Sequence, residues 1–298
     1  MFKTTTVAEP RRFTLHAGDG VPLAIATRGD DDAPALIFAH GFGQTRHAWN
    51  ATTAVLAGAG WRCLTMDARG HGDSGWRDDG HYDFSQFVDD LVRLAHIPAQ
   101  KPILVGASMG GLLGLVAQAE HAVFRALVLV DITPRWETAG VERVLTFMRA
   151  HPQGFANVEE ASAAIANYLP QRAQRYRRDP GRPERLRSLL VSDANGRLRW
   201  HWDPRLLDTI ATGSERQQSR LVDAARRIHV PTLLVSGERS DVVSDDTIAE
   251  FLHCVPHAQH VRVSRATHMI AGDDNAAFTA AVERFVAPLH INRIEDRP

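Results

Sequence analysis

The sequence predicts an α/β fold, with a mostly parallel sheet flanked by helices and a mostly helical segment inserted after the sixth strand. Three observations carry this prediction. Short apolar runs recur without polar alternation: ALIFAH (35–40), RCLTMDA (62–68), PILVGA (102–107), ALVLVDI (126–132), PTLLVSG (231–237) and HVRVSRA (260–266). Such runs suit strands covered on both faces, as in a parallel sheet. Helix-period segments near 45–59, 84–97, 109–121, 244–255 and 275–290 lie between them, and this alternation predicts strand–helix–strand units with right-handed crossovers. Finally, the rhythm stops over 133–225, where no stretch reads as a strand.

The chain opens with two alternating stretches, FTLHA and PLAIATR, around Gly18-Asp19-Gly20. They predict an antiparallel hairpin ahead of the parallel strands. A structureless loop as long as 133–225 is implausible in a compact domain. The expected organisation is therefore a core of 1–132 and 226–298 with a helical cap of 133–225. The arginines of that insertion (Arg172, Arg175, Arg177, Arg178, Arg182, Arg185 and Arg187) read as a solvated helix face.

Composition narrows the function classes. Of 298 residues, 44% are hydrophobic and 23% charged, which is globular rather than disordered. A net charge of −1 gives no field to attract nucleic acid or a membrane surface. No run approaches the roughly 18 apolar residues of a membrane span, and MFKTTTVAEPRRF lacks the apolar core of a secretory signal. A reduced cytoplasmic setting is expected. Cys63 and Cys254 have no redox or metal-ligand spacing. His253, Cys254, His257 and His260 are close in sequence, but they span a helix end and Pro256 and read as surface histidines, so no metal site is expected.

The strongest chemical signal is Gly106-Ala107-Ser108-Met109-Gly110-Gly111, placed directly between the strand PILV and the helical run LLGLVAQA. This is the context of a G-x-S-x-G nucleophile elbow. A serine on a sharp strand-to-helix turn needs small neighbours, because backbone crosses close by. The turn lifts the Ser108 hydroxyl above the sheet edge. The backbone N–H of Met109, at the start of the next helix, then faces the place where an oxyanion forms.

A second oxyanion donor is expected from His40-Gly41-Phe42-Gly43 after the strand ALIFA, through the backbone N–H of Phe42. His40 reads as a residue that orders this loop by hydrogen bonding, and Trp49 as core or pocket wall. In Asp67-Ala68-Arg69-Gly70-His71-Gly72-Asp73-Ser74 the alternating glycines mark a tight loop, with Asp67, Arg69 and Asp73 as turn and ion-pair residues.

A serine hydroxyl needs a base to accept its proton, and the base needs an acid to orient it. His268 sits directly after the last strand-like run, in RATHMIAGDDN, and is the candidate base. Asp241, just after PTLLVSG, is the favoured acid. Asp131, at the end of ALVLVDI, and Glu238 are its rivals. Trp136, Phe147, Tyr168, Trp200 and Trp202, with Phe42 and His201, are candidates for the walls of a substrate pocket.

The HGFG, DARGHGDS, GASMGG and THMIAGD segments, in this order and at strand ends, resemble the capped α/β-hydrolase family over residues 13–290. The resemblance implies an eight-stranded sheet, no cofactor and an acyl-serine intermediate. Epoxide hydrolases and haloalkane dehalogenases of the same fold use aspartate where this chain has Ser108. The expected activity is hydrolysis of carboxylic esters or lactones of small apolar or aromatic molecules. Carbon–carbon bond hydrolysis is the alternative reaction, and a non-catalytic ligand receptor the alternative class.

Overall fold

The computed structural model describes residues 9–168, 186–187, 189–207 and 214–290. Its centre is a sheet of eight strands: β1 (Arg11–His16), β2 (Pro22–Arg28), β3 (Ala35–Ala39), β4 (Arg62–Met66), β5 (Ile103–Ala107), β6 (Ala126–Val130), β9 (Thr232–Gly237) and β10 (Gln259–Val263). β7 and β8 form a separate pair, described below. The spatial order is β1-β2-β4-β3-β5-β6-β9-β10. β1 and β2 pair antiparallel as the hairpin, β2 meets β4 antiparallel, and every later pairing is parallel.

The unalternated runs behave as their composition demands. Every residue of β3, β6 and β9 is buried, because helices cover both faces. Side chains of one strand alternate between two cores. From β5, Leu104 joins α2 (Phe84–Ala95) and α3 (Met109–His121), whereas Ile103 and Val105 join Leu56 of α1 (Asn50–Gly58) and Phe278, Val282 and Phe285 of the C-terminal helix. Trp49, ending a short 3₁₀ turn (Arg46–Trp49), is core: it packs between Phe38 and Phe278.

Between β6 and β9 the described residues form α4 (Thr138–Arg149), α5 (Val158–Tyr168), the two-stranded pair β7 (Leu190–Ser192) and β8 (Leu198–Trp200), and α6 (Ser214–Arg226). The stretch is thus not wholly without strands. Three-residue strands are too short to show a period, but the turn between them does carry a hairpin signal, Asn195-Gly196, with Gly196 at φ +75°. Phe155, Ala161, Leu186, Leu190 and Leu198 make a small core of their own here. α6 has a different attachment. Its Leu221, Ala224 and Ala225 share the main core with Leu113 and Ala117 of α3, and Arg220 pairs with Glu120 at 2.8 Å. The last helix of the expected 133–225 insertion therefore packs on the sheet's helix layer. Arg172, Arg175, Arg177, Arg178, Arg182 and Arg185 lie outside the described residues, and Arg187 is exposed.

The remaining helices are α7 (Asp245–Cys254), α8 (Ile270–Asp273) and α9 (Asn275–His290). Ser244 caps α7: its backbone N–H donates to Thr247 Oγ1 at 3.0 Å, and its hydroxyl accepts the Thr247 N–H. Among the described residues, no helix is long and apolar enough to cross a membrane.

Candidate active site

β5 ends on Ala107 and α3 begins on Met109, so one residue makes the whole turn. That residue, Ser108, has φ 46° and ψ −117°, a conformation costly for any side chain. The glycines around it are required by close approach. A Cβ on Gly106 would meet the carbonyl of Gly110 at 2.6 Å, and one on Gly110 would meet the carbonyl of Ala39 at 2.3 Å. The Ser108 N–H donates to Val130 O at 3.0 Å, while its carbonyl accepts from Gly111 and Leu112.

The loop after β3 runs against this turn. A Cβ placed on Gly41 would lie 3.2 Å from Ser108 Cβ. His40 holds the loop, as expected from its position: Nδ1–H donates to Gly41 O at 2.8 Å, and Nε2 accepts the Ala68 N–H at 3.0 Å. Burial pushes its pKa below the ordinary histidine value. Among the described residues, no acceptor takes the N–H of Phe42 or of Met109. Arg46 locks the same region from below through ion pairs to Asp67 and Asp73, and Arg69 bridges Asp90 and Asp19.

His268 lies on the loop between β10 and α8. The preceding residue is fixed by Asp273, whose carboxylate accepts both the N–H and the hydroxyl of Thr267 at 2.8 and 2.6 Å. The imidazole Nδ1 contacts Asp131 Oδ2 at 2.7 Å. Asp131 is fully buried and takes two further hydrogen bonds, from Gly237 N–H at 2.7 Å and from Ser240 Oγ at 2.5 Å. Its φ of 49° turns the carboxylate off the end of β6 toward β9 and His268.

The expected pairing of Asp241 with His268 is therefore corrected. Asp241 does not reach His268; its carboxylate pairs with Arg143 of α4 at 2.7 Å and is about two-fifths exposed. In the loop after β9 it is Ser240, not Asp241, that turns inward. Its hydroxyl donates to Asp131 and accepts the N–H groups of Val242 and Val243. Glu238 faces the other way and accepts the Arg265 N–H at 2.6 Å. Asp131 was readable as an aspartate flush with a strand end. The inward turn of Ser240, which decides between the two loops, has no counterpart in composition.

Ser108 and His268 line one cavity of about 740 Å³, within the range of small-molecule sites. Phe42 and Met109 are on its wall, as are Trp136, Phe147, Tyr168, Trp200 and Trp202. Phe147 and Tyr168 stack with ring centroids 4.3 Å apart. The Tyr168 phenol is pushed up to about 12, by burial first and by the Asp241 charge second. It is therefore a neutral wall. Charges occur at one rim, with Arg143, Arg239 and Asp241. His201 does not line the cavity; it is buried behind the Gly41–Gln44 loop.

The histidine-rich segment is dispersed in its contacts. His257 Nε2 donates to Val230 O, and His260 Nε2 meets Ser236 Oγ. No group of three or more metal-ligating side chains forms among the described residues.

Comparison with known proteins agrees with this fold. A 3-hydroxybutyrate-oligomer hydrolase of Cupriavidus necator is 28% identical over 277 residues, spanning 86% of this chain and 90% of its own. The mouse sn-1-specific diacylglycerol lipase ABHD11 is 30% identical, across 87% of this chain and 83% of the lipase. The solved structure of the Mycobacterium tuberculosis esterase Rv0045c superposes with a TM-score of 0.73 at 26% identity, covering 94% of this chain and 93% of the esterase. The profile of the alpha/beta hydrolase fold matches residues 34–274, and the chain belongs to that family.

Proposed function

We propose that the protein is a serine hydrolase of carboxylic esters or lactones with small apolar or aromatic groups, acting through Ser108, His268 and Asp131. One observation carries the reading: a strained, half-buried serine and an imidazole already paired to a buried carboxylate share the wall of one predominantly apolar cavity. Relatives named as an esterase and a diacylglycerol lipase support the bond type.

The chemistry follows from the atoms. Asp131 holds Nδ1–H, so Nε2 of His268 is left as the base. It takes the Ser108 proton as Oγ attacks the carbonyl, and the Phe42 and Met109 amides receive the oxyanion. The imidazolium, stabilised by the buried Asp131, then protonates the leaving alkoxide. Water attacks the acyl-serine by the same route in reverse. The aromatic wall of the inserted segment (Trp136, Phe147, Tyr168, Trp200 and Trp202) selects the acyl or alcohol group, and we take that segment to act as a cap.

A panel of nitrophenyl esters and lactones, run on wild type and Ser108→Ala, tests this. Ester turnover lost in the variant while its melting curve is retained supports the reading. Full activity in Ser108→Ala overturns it. Fluorophosphonate labelling of Ser108 without turnover of any ester indicates a ligand receptor, and turnover confined to a diketone indicates carbon–carbon bond hydrolysis.

A further inference from the structure

Three buried imidazoles stand behind the Gly41–Gln44 loop, and none lines the cavity: His40 (2% exposed), His71 (0%) and His201 (3%). They come from three stretches of chain, after β3, after β4 and after β8. Their rings sit 5.2 and 6.1 Å apart in the series His40, His71, His201.

Each holds one of three consecutive peptide groups. His40 Nδ1–H donates to the Gly41 carbonyl, the other end of the peptide that carries the Phe42 N–H. His71 Nε2 accepts the Gly43 N–H at 3.2 Å. His201 Nε2–H donates to the Gly43 carbonyl at 3.2 Å. The outer nitrogens are also engaged: His40 Nε2 accepts from Ala68, His71 Nδ1–H donates to Arg69 O, and His201 Nδ1 accepts the Gly72 N–H at 2.9 Å. Every ring uses one nitrogen as donor and one as acceptor, so all three are neutral and each tautomer is fixed.

His201 is the member contributed by the inserted segment, and that segment is anchored where it supplies the ring. The Asp203 N–H donates to Gly70 O at 2.8 Å, and buried Asp203 accepts the Tyr82 hydroxyl at 2.8 Å. Trp202 packs on Phe42 with centroids 5.5 Å apart. From His201 the hold passes along the loop. The peptide whose carbonyl it grips carries the Gln44 N–H, which donates to Gly41 O at 3.1 Å. That carbonyl orients the Phe42 N–H. Gly43, at φ +73°, has no side chain to restrain this stretch, so its shape depends on these bonds.

We propose that His201 is a positioning residue for catalysis, through which the inserted segment holds the oxyanion loop in its working shape. The proposal rests on the reading of Ser108 and Phe42 given above. Without the ring, the Gly43 carbonyl and the Gly72 N–H lose buried partners and the loop reorients to satisfy them. A donor displaced by a fraction of an ångström stabilises the transition state less, with little effect on ground-state binding.

Two variants separate the ring's nitrogens. In His201→Gln the side-chain NH₂ reaches the place of Nε2 and keeps the bond to Gly43; in His201→Asn the amide oxygen keeps only the place of Nδ1. With a nitrophenyl ester, and with active sites counted by fluorophosphonate titration, His201→Asn is expected to lower kcat about tenfold or more while KM stays within about twofold. His201→Gln is expected to recover most of that loss. The inhibition constant of phenylboronic acid, which forms a tetrahedral adduct on serine, should rise in the Asn variant by the factor kcat falls. Equal kcat per titrated site in both variants and wild type overturns the proposal, as does a loss that only follows the fraction folded by melting. If wild-type Ser108 is not labelled at all, the underlying serine reading has failed; if it is labelled and turns over while His201→Asn keeps full kcat, only the positioning role has.

Discussion

Two neighbouring strands, β6 and β9, each deliver an aspartate to the edge of the same site, and the two have opposite surroundings. Asp131 is sealed, with three donors on its carboxylate: Gly237 N–H, Ser240 Oγ and His268 Nδ1. Asp241 is partly exposed at the cavity rim, and its ion-pair partner is Arg143 of the insertion. Residue type and strand-end position are shared, so neither decides which carboxylate pairs with His268. What decides is the number of donors aimed at it and the exclusion of water, which would strengthen its interaction with the imidazolium of the proposed mechanism.

The largest expected effect falls on the sealed side. Asp131→Asn should lower kcat by roughly 10³–10⁴-fold, because an amide fixes the wrong tautomer of His268. Steady-state ester hydrolysis measures this, and a loss below about tenfold would break the comparison. A moderate effect follows from the buried imidazoles on the same side. Burial lowers the pKa of His40, His71 and His201, that of His201 to about 4. The fold therefore disfavours their charged forms. Stability is full above the unfolded value near 6.5 and falls as the pH drops from there toward the folded value. For His201 alone the loss from pH 7 to pH 5 is about 2 kcal/mol. Urea unfolding at the two pH values should show it, and equal stability would contradict the neutral clamp.

The smallest effect belongs to the rim. Asp241→Asn removes a half-exposed ion pair, worth about 1 kcal/mol or less. Its kcat should stay within about threefold of wild type, with any larger change confined to KM. A loss of kcat matching that of Asp131→Asn would restore Asp241 as the orienting acid.

The same contrast explains what was legible in the sequence. The sheet, the elbow at Ser108 and the place of His268 follow from local patterns: unalternated apolar runs, glycines where backbones cross, and a histidine just past the last strand. For the acid the sequence favours Asp241, whereas the carboxylate on His268 is Asp131: two loops offer aspartates, and the choice rests on the φ of Asp131 and the rotation of Ser240. His201 looked like an aromatic pocket residue beside Trp200 and Trp202. Its real contacts, Gly43 and Gly72, are 158 and 129 residues away in sequence. The β7–β8 hairpin was announced only by Asn195-Gly196, since three-residue strands leave no period to read.

The most direct test of the central claim is to trap the acyl-enzyme. Wild type mixed with a slowly deacylating nitrophenyl ester, quenched in acid and digested, should show the acyl mass on the peptide containing Ser108, formed at the rate of the nitrophenol burst and absent from Ser108→Ala. Turnover with no adduct on that peptide, or an adduct on another residue, would contradict it.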